Sequence, residues 1–225
     1  MKKEVGVFMI IFLGLSWACS KDEDNLLPVI EPDDSGVFTD AEGREFSWVR
    51  YGNLEWMTTN LNIEASVGSE ISQGTRDPIK LETEKEQNYV TFGYLYTYEA
   101  AKEVVPEGWR IPTDNDWQEL EKAMGMSANE LNVSSWRGVS EGTLLQQTEG
   151  TKMNLRMGGM GEYDGYGNFS PYFSYVYGFY WTSTPEAEGS NYYYCRQISY
   201  KSGQIARVVV DKSKMLSVRC VRDAR

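Results

Sequence analysis

The chain has 225 residues, 22 basic and 33 acidic side chains, a net charge of −11 and no histidine. Without imidazole, Ser-His-Asp and Cys-His nucleophilic catalysis and His-containing zinc sites are excluded, leaving carboxylates, Lys or Tyr for acid–base work. The acidic balance suits no phosphate backbone, so nucleic acid is not an expected partner; a bound metal would be a hard cation on oxygen ligands.

Lys2 and Lys3 precede an apolar run of about 11 residues, 5–15, and Ala18 stands directly before Cys19. A basic start, a short apolar stretch and a small residue at the cut describe a secretory signal. At ~1.5 Å per residue the run covers about half of a ~30 Å hydrocarbon core, too little for a span. Ser16-Trp17-Ala18-Cys19 resembles the lipobox of bacterial lipoproteins, in which the cysteine is diacylated, although Leu15 lies four positions before the cysteine where three is usual. An ordinary secretory signal with an incidental cysteine is the alternative. Ser20-Lys21-Asp22-Glu23-Asp24 is similar to the surface-export signal of Bacteroidetes lipoproteins and also suits a solvated spacer. Residues 1–18 are therefore expected to be a lipoprotein signal peptide, 19–35 a disordered acidic tether, and 36–225 one domain. The expected location is the bacterial outer membrane, lipid-anchored through Cys19 and facing the cell surface. Loss of residues 1–18 removes Lys2, Lys3 and Glu4, leaving 20 basic and 32 acidic residues and a net charge of −12.

About 190 residues follow the tether, enough for one core. Residues 36–39, 45–51 and 54–57 read as strands separated by turn signals at 40–43 and Gly52-Asn53. A polar loop is expected over roughly 64–88. Helical spacing of Leu95, Tyr98 and Ala101 predicts a helix over about 94–104. A second helix starts at Thr113, whose side chain can cap it, with Asp114 and Asp116 at the positive end of its dipole and Gly125 as its stop. From about 151 the chain turns rich in Gly and aromatics, and long regular elements are not expected across 163–181. Strands at 192–200, 205–210 and 216–221 close the chain. With Cys19 lipidated, Cys195 and Cys220 remain as a pair, expected to form a disulfide in an oxidising compartment.

Several blocks carry a family resemblance. Trp56-Met57-Thr58-Thr59-Asn60-Leu61, the stretch from Gly93 to Ala101, Pro106-Glu107-Gly108-Trp109-Arg110-Ile111-Pro112-Thr113-Asp114, Trp181-Thr182-Ser183-Thr184 and Ser217-Val218-Arg219-Cys220-Val221-Arg222-Asp223 resemble, in order, blocks of the Fibrobacter succinogenes major paralogous domain family. The block around Trp109 is also similar to the formylglycine-generating enzymes. That similarity implies a C-type-lectin-like α+β fold: two helices packed on a twisted, mainly antiparallel sheet with long loops. Members often carry a cysteine where this chain has Val105, so Cys195 becomes the substitute partner of Cys220.

Fold does not give function. Trp109 is expected in the core, with Arg110 paired to a buried carboxylate or carbonyl. Asp114, Asn115 and Asp116 suit a helix start, and the Ca²⁺ motifs of sugar-binding C-type lectins are missing, so neither metal nor cofactor is expected. Both cysteines sit in strand-like contexts, unlike the active-site cysteines of the formylglycine-generating relatives, and no catalytic residue is assigned. The segment best suited to a ligand is the aromatic stretch, because Tyr and Trp faces stack on sugars. Within it Tyr163, Asp164, Tyr166, Asn168 and Tyr172 alternate with Gly and polar residues. The leading expectation is a surface-displayed binding module for a glycan or an extracellular protein. The rivals are a structural or assembly component of the envelope or fimbriae, and a polysaccharide hydrolase.

Overall fold

The computed structural model describes residues 27–71 and 92–225. The expected signal peptide and Cys19 lie outside the described residues. The described chain is α+β and rich in sheet. In order come β1 (Asp34–Thr39), β2 (Glu45–Tyr51), β3 (Leu54–Met57), β4 (Ser69–Ile71) and β5 (Tyr94–Tyr96). Helices α1 (Tyr98–Val104) and α2 (Asp114–Ala123), strand β6 (Ser135–Arg137) and the single turn α3 (Glu141–Leu144) follow. The chain ends in β7 (Met160–Tyr163), β8 (Phe169–Tyr172), β9 (Tyr177–Pro185), β10 (Tyr192–Ser199), β11 (Ser202–Asp211) and β12 (Val221–Asp223). Among the described residues no helix is long and apolar enough to cross a membrane.

Two four-stranded antiparallel sheets, β1-β2-β3-β12 and β6-β11-β10-β9, organise the domain, with β4-β5 and β7-β8 as separate ribbons. The β2–β3 turn is the expected Gly52-Asn53 pair, with Gly52 at φ +59° as a two-residue hairpin loop demands. The last strand, β12, returns to β3. There Arg222 donates to Glu55 at 2.5 Å while its guanidinium lies 4.4 Å from the Trp109 ring and 5.4 Å from Phe38. This half-buried cation is tolerated because a carboxylate neutralises it and ring faces replace part of its water.

The chain departs from its local signals in four places. Pairing starts before the boundary expected at 36: Asp33 N–H donates to Arg50 O, β1 begins at Asp34, and Ile30 packs on the core. Residues 94–96 are a strand and not the first turn of a helix. Thr97 caps α1, its Oγ1 accepting from Ala100 N–H, while Tyr94, Leu95 and Tyr96 pair with β4. In the aromatic stretch the nine-residue β9 forms despite Gly178, which is there because a Cβ would sit 2.3 Å from Arg156 O. Finally, 216–220 is not a strand but bridges singly to Tyr96 and Tyr180 before β12. Trp56, Trp117 and Trp181, fully buried, anchor the interior.

The expected Cys195–Cys220 disulfide is absent; both are buried free thiols. Cys195 lies inside β10 of the second sheet, whereas Cys220 immediately precedes β12 of the first, so they are not on neighbouring strands. Burial pushes both thiols up to about 12, although Arg196 and Arg219 act the other way. Since the thiolate is the reactive species, neither cysteine should react with a thiol-specific disulfide reagent in the native protein, and both should react in denaturant. Rapid native labelling of either would contradict the burial.

Candidate functional site

The candidate ligand residues lie on the β7–β8 hairpin. Tyr163 ends β7, and its hydroxyl donates to Glu70 Oε1 at 2.7 Å, joining the hairpin to β4. Burial, with that carboxylate, pushes the phenol up to about 12. Asp164 builds the turn: its carboxylate accepts from Tyr166 N–H at 2.8 Å, Asn168 N–H at 2.9 Å and Asn168 Nδ2 at 2.9 Å. These bonds, the Asn168 side chain first, hold the Asp164 carboxyl below its ordinary 3.8. Asp164 and Asn168 are therefore committed to the turn that presents Tyr166. Tyr172 is half-buried beside Phe173.

To the candidate ligand residues the structure adds Phe173 and Tyr175, which the sequence did not single out. Tyr166 is 95 %, Tyr175 52 %, Phe173 49 % and Tyr163 37 % exposed, a group of outward-facing rings on one excursion of the chain. Phe173 and Tyr175 adopt φ +67° and +64°, a region that side chains other than Gly and Asn seldom occupy. Such strain persists only where the surroundings over-determine it. Here Tyr175 N–H donates to Met157 O, and Val176 and Tyr177 N–H donate to Phe173 O.

The acidic block at the start of α2 has a different purpose. Trp109 is buried, and Arg110 pairs with Asp116, as expected for this block. Asp116 also completes a reciprocal capping box with Thr113. Asp114 accepts from Arg196 Nη1 at 2.7 Å and Arg207 Nη2 at 2.9 Å. Glu121 accepts from Arg196 Nε at 2.5 Å and Arg137 Nη2 at 2.6 Å. Three arginines and two carboxylates thus form one buried chain that ties α2 to the second sheet, and Arg207 also lies 3.7 Å from the Tyr194 ring centroid. Sequence reasoning missed Glu121, Arg137, Arg196 and Arg207, because no local pattern separates them from solvated charges.

A cleft of about 680 Å³ opens between the β1–β2 turn and the segment after α1, with Asp40, Glu42, Arg44, Glu103, Glu107 and Arg225 among its lining. Arg44 takes up Asp40 and Glu42, and Ser66 takes up Glu103. None of the five candidate ligand residues lines it. Among the described residues no group of three or more His, Cys, Asp or Glu is placed to hold a metal.

Comparison with curated proteins returns no match, and comparison with solved structures returns none either. The family model of the Fibrobacter succinogenes major domain matches residues 49–222, which takes in the block around Trp109, the buried ionic chain and the aromatic hairpin. The chain belongs to the Fibrobacter succinogenes major domain family.

Proposed function

We propose that the protein is a glycan-binding module held on the outer face of the bacterial outer membrane by lipid on Cys19. The observation that carries the binding role is the set of exposed rings at Tyr163, Tyr166, Phe173 and Tyr175, the first two on the hairpin whose turn is locked by Asp164 and Asn168 and the last two in the segment that follows β8. Rigid aromatic faces supply contact area at little entropic cost, and their amphipathic rims suit sugars. An extracellular protein is the other ligand class such a surface suits. The anchor rests on Lys2, Lys3, the apolar run and Ala18-Cys19. A C-type-lectin-like arrangement is our reading of the α+β fold, supported by two main helices, mostly antiparallel strands and a first sheet that unites both ends of the domain. A crystal structure that superposes on no such domain would refute it.

The test of function is an array of glycans and matrix proteins probed with the full-length chain purified in detergent. Selective glycan binding that survives EDTA is the expected result, since the rings and the turn need no metal. Tyr166→Ala should weaken that binding by about 1–2 kcal/mol. The melting temperature should hardly move, because an exposed side chain contributes little to the core. A large loss of stability would make Tyr166 a packing residue. No ligand at all would favour the envelope-component reading, and release of reducing ends a hydrolase. For the anchor, Cys19→Ala should abolish labelling with radioactive palmitate and leave the precursor uncleaved; continued labelling would refute lipidation. Outward display predicts digestion by protease added to intact cells.

A further inference from the structure

The register of the second sheet sets Gln197 opposite Phe179 on one side and Ala206 on the other, with Ala206 opposite Trp136. Directly paired residues share a face. Trp136, Ala206, Gln197 and Phe179 therefore form one transverse row, and Tyr177, two residues from Phe179, points to the same side. Ala206 is fully buried and small, and the Trp136 and Tyr177 rings approach to 6.3 Å from opposite edge strands. Phe173 continues the line, 5.6 Å from Tyr177 and nearly perpendicular to it at 79°. Trp136 and Tyr177 are half-buried, so part of each residue reaches solvent.

Gln197 is half-buried in the middle of this row, and its carboxamide has no hydrogen-bond partner among the described residues. No residue of the row is charged, although the chain carries a net charge of −11. Ring faces, one unspent amide and no ionic group match a ligand that is polar, uncharged and has apolar faces. An anionic ligand would meet the field of the acidic chain with no cation in the row to offset it.

We infer that this row seats an uncharged glycan at least two sugars long: neighbouring sugar rings lie on Trp136 and Tyr177, Gln197 hydrogen-bonds their hydroxyls, and Phe173 borders the row. The inference rests on the glycan reading above and adds the seat, the charge class and the minimum length of the ligand. It differs from the hairpin residues in that two of its groups, Trp136 and Gln197, come from β6 and β10.

The experiment is titration calorimetry of the full-length chain in detergent with neutral gluco-, manno- and xylo-oligosaccharides from monosaccharide to hexasaccharide, and with polygalacturonate as the anionic probe. Affinity should rise between mono- and disaccharide, and polygalacturonate should bind more weakly than the neutral chains. Trp136→Ala should weaken binding about fivefold or more. Trp136→Phe, which keeps a ring, should restore most of it, and Gln197→Ala should cost about threefold. If Trp136→Ala does not fold, the Phe and Gln197 variants carry the test. Neutral glycans that bind wild type and are weakened by Tyr166→Ala, but are unaffected at Trp136 and Gln197, would overturn the inference and leave the glycan reading standing. So would a monosaccharide that binds as tightly as its oligomers, or a preference for polygalacturonate. Absence of binding by any glycan would overturn both.

Discussion

Glu121→Gln is expected to destabilise the protein by about 3–5 kcal/mol, because it leaves Arg137 and Arg196 buried with half their counter-charge gone. For a domain of this size that corresponds to a fall in melting temperature of roughly 6–20 °C. Both arginines are almost without solvent contact at this pair, so water cannot compensate as it would at the surface. A variant melting within a few degrees of wild type would show that the chain of charges relaxes or takes in water. The same network predicts an acid limb. Burial raises the Asp114 carboxyl, but hydrogen bonds and charge from Arg207 and Arg196 outweigh it and hold the group below its ordinary 3.8. A carboxyl depressed in the folded state contributes stability that is complete above its unfolded value and lost as pH falls through the lower, folded one. Stability should therefore decline on acidification below about pH 4, and Asp114→Asn should flatten that decline while lowering stability at neutral pH. Thermal melts across pH, wild type against variant, provide the check; parallel curves would refute the assignment.

Arg219→Ala should be worse still. Arg219 is fully buried without a carboxylate partner among the described residues, and donates to Met57 O at 3.1 Å, Met153 O at 2.7 Å, Asn154 O at 3.1 Å and Asn60 Oδ1 at 2.7 Å. It joins the turn after β3 to residues 153–154 and to the approach to β12, segments brought together only in the folded state. Truncation strands four acceptors and opens a void as large as the side chain. A loss of roughly 5 kcal/mol or more is expected, enough to remove most soluble, cooperatively folding protein. Lysine should not rescue it, since a single ammonium cannot reach four acceptors arranged around a planar fork. Far-UV circular dichroism and urea unfolding of both variants decide this; a lysine variant with wild-type stability would show that charge alone matters at this site.

Where a structural decision is local, it was readable in the chain. The Gly52-Asn53 turn needs only a residue that tolerates positive φ. The start of α2 needs only Thr113 and Asp116 at capping distance, and the family blocks are strings of neighbouring residues. Composition likewise removed histidine chemistry without reference to any fold. Other outcomes depended on residues far apart in the chain. Helical spacing at Leu95, Tyr98 and Ala101 was genuine from Tyr98 onward, but β4 claimed Tyr94, Leu95 and Tyr96 as a pairing partner. Two cysteines 25 residues apart looked like neighbours until the sheets separated them. Asp114 meets Arg196 and Arg207 across sequence separations of 82 and 93, so nothing near Asp114 shows that its charge is buried. Trp136 and Gln197 share a face only through the register of β6, β11 and β10. Turns, caps and composition act over a few bonds and are determined by the sequence directly. Strand partners, buried charge pairs and shared faces exist only once distant segments have displaced water from between them, and the tertiary structure alone decided those.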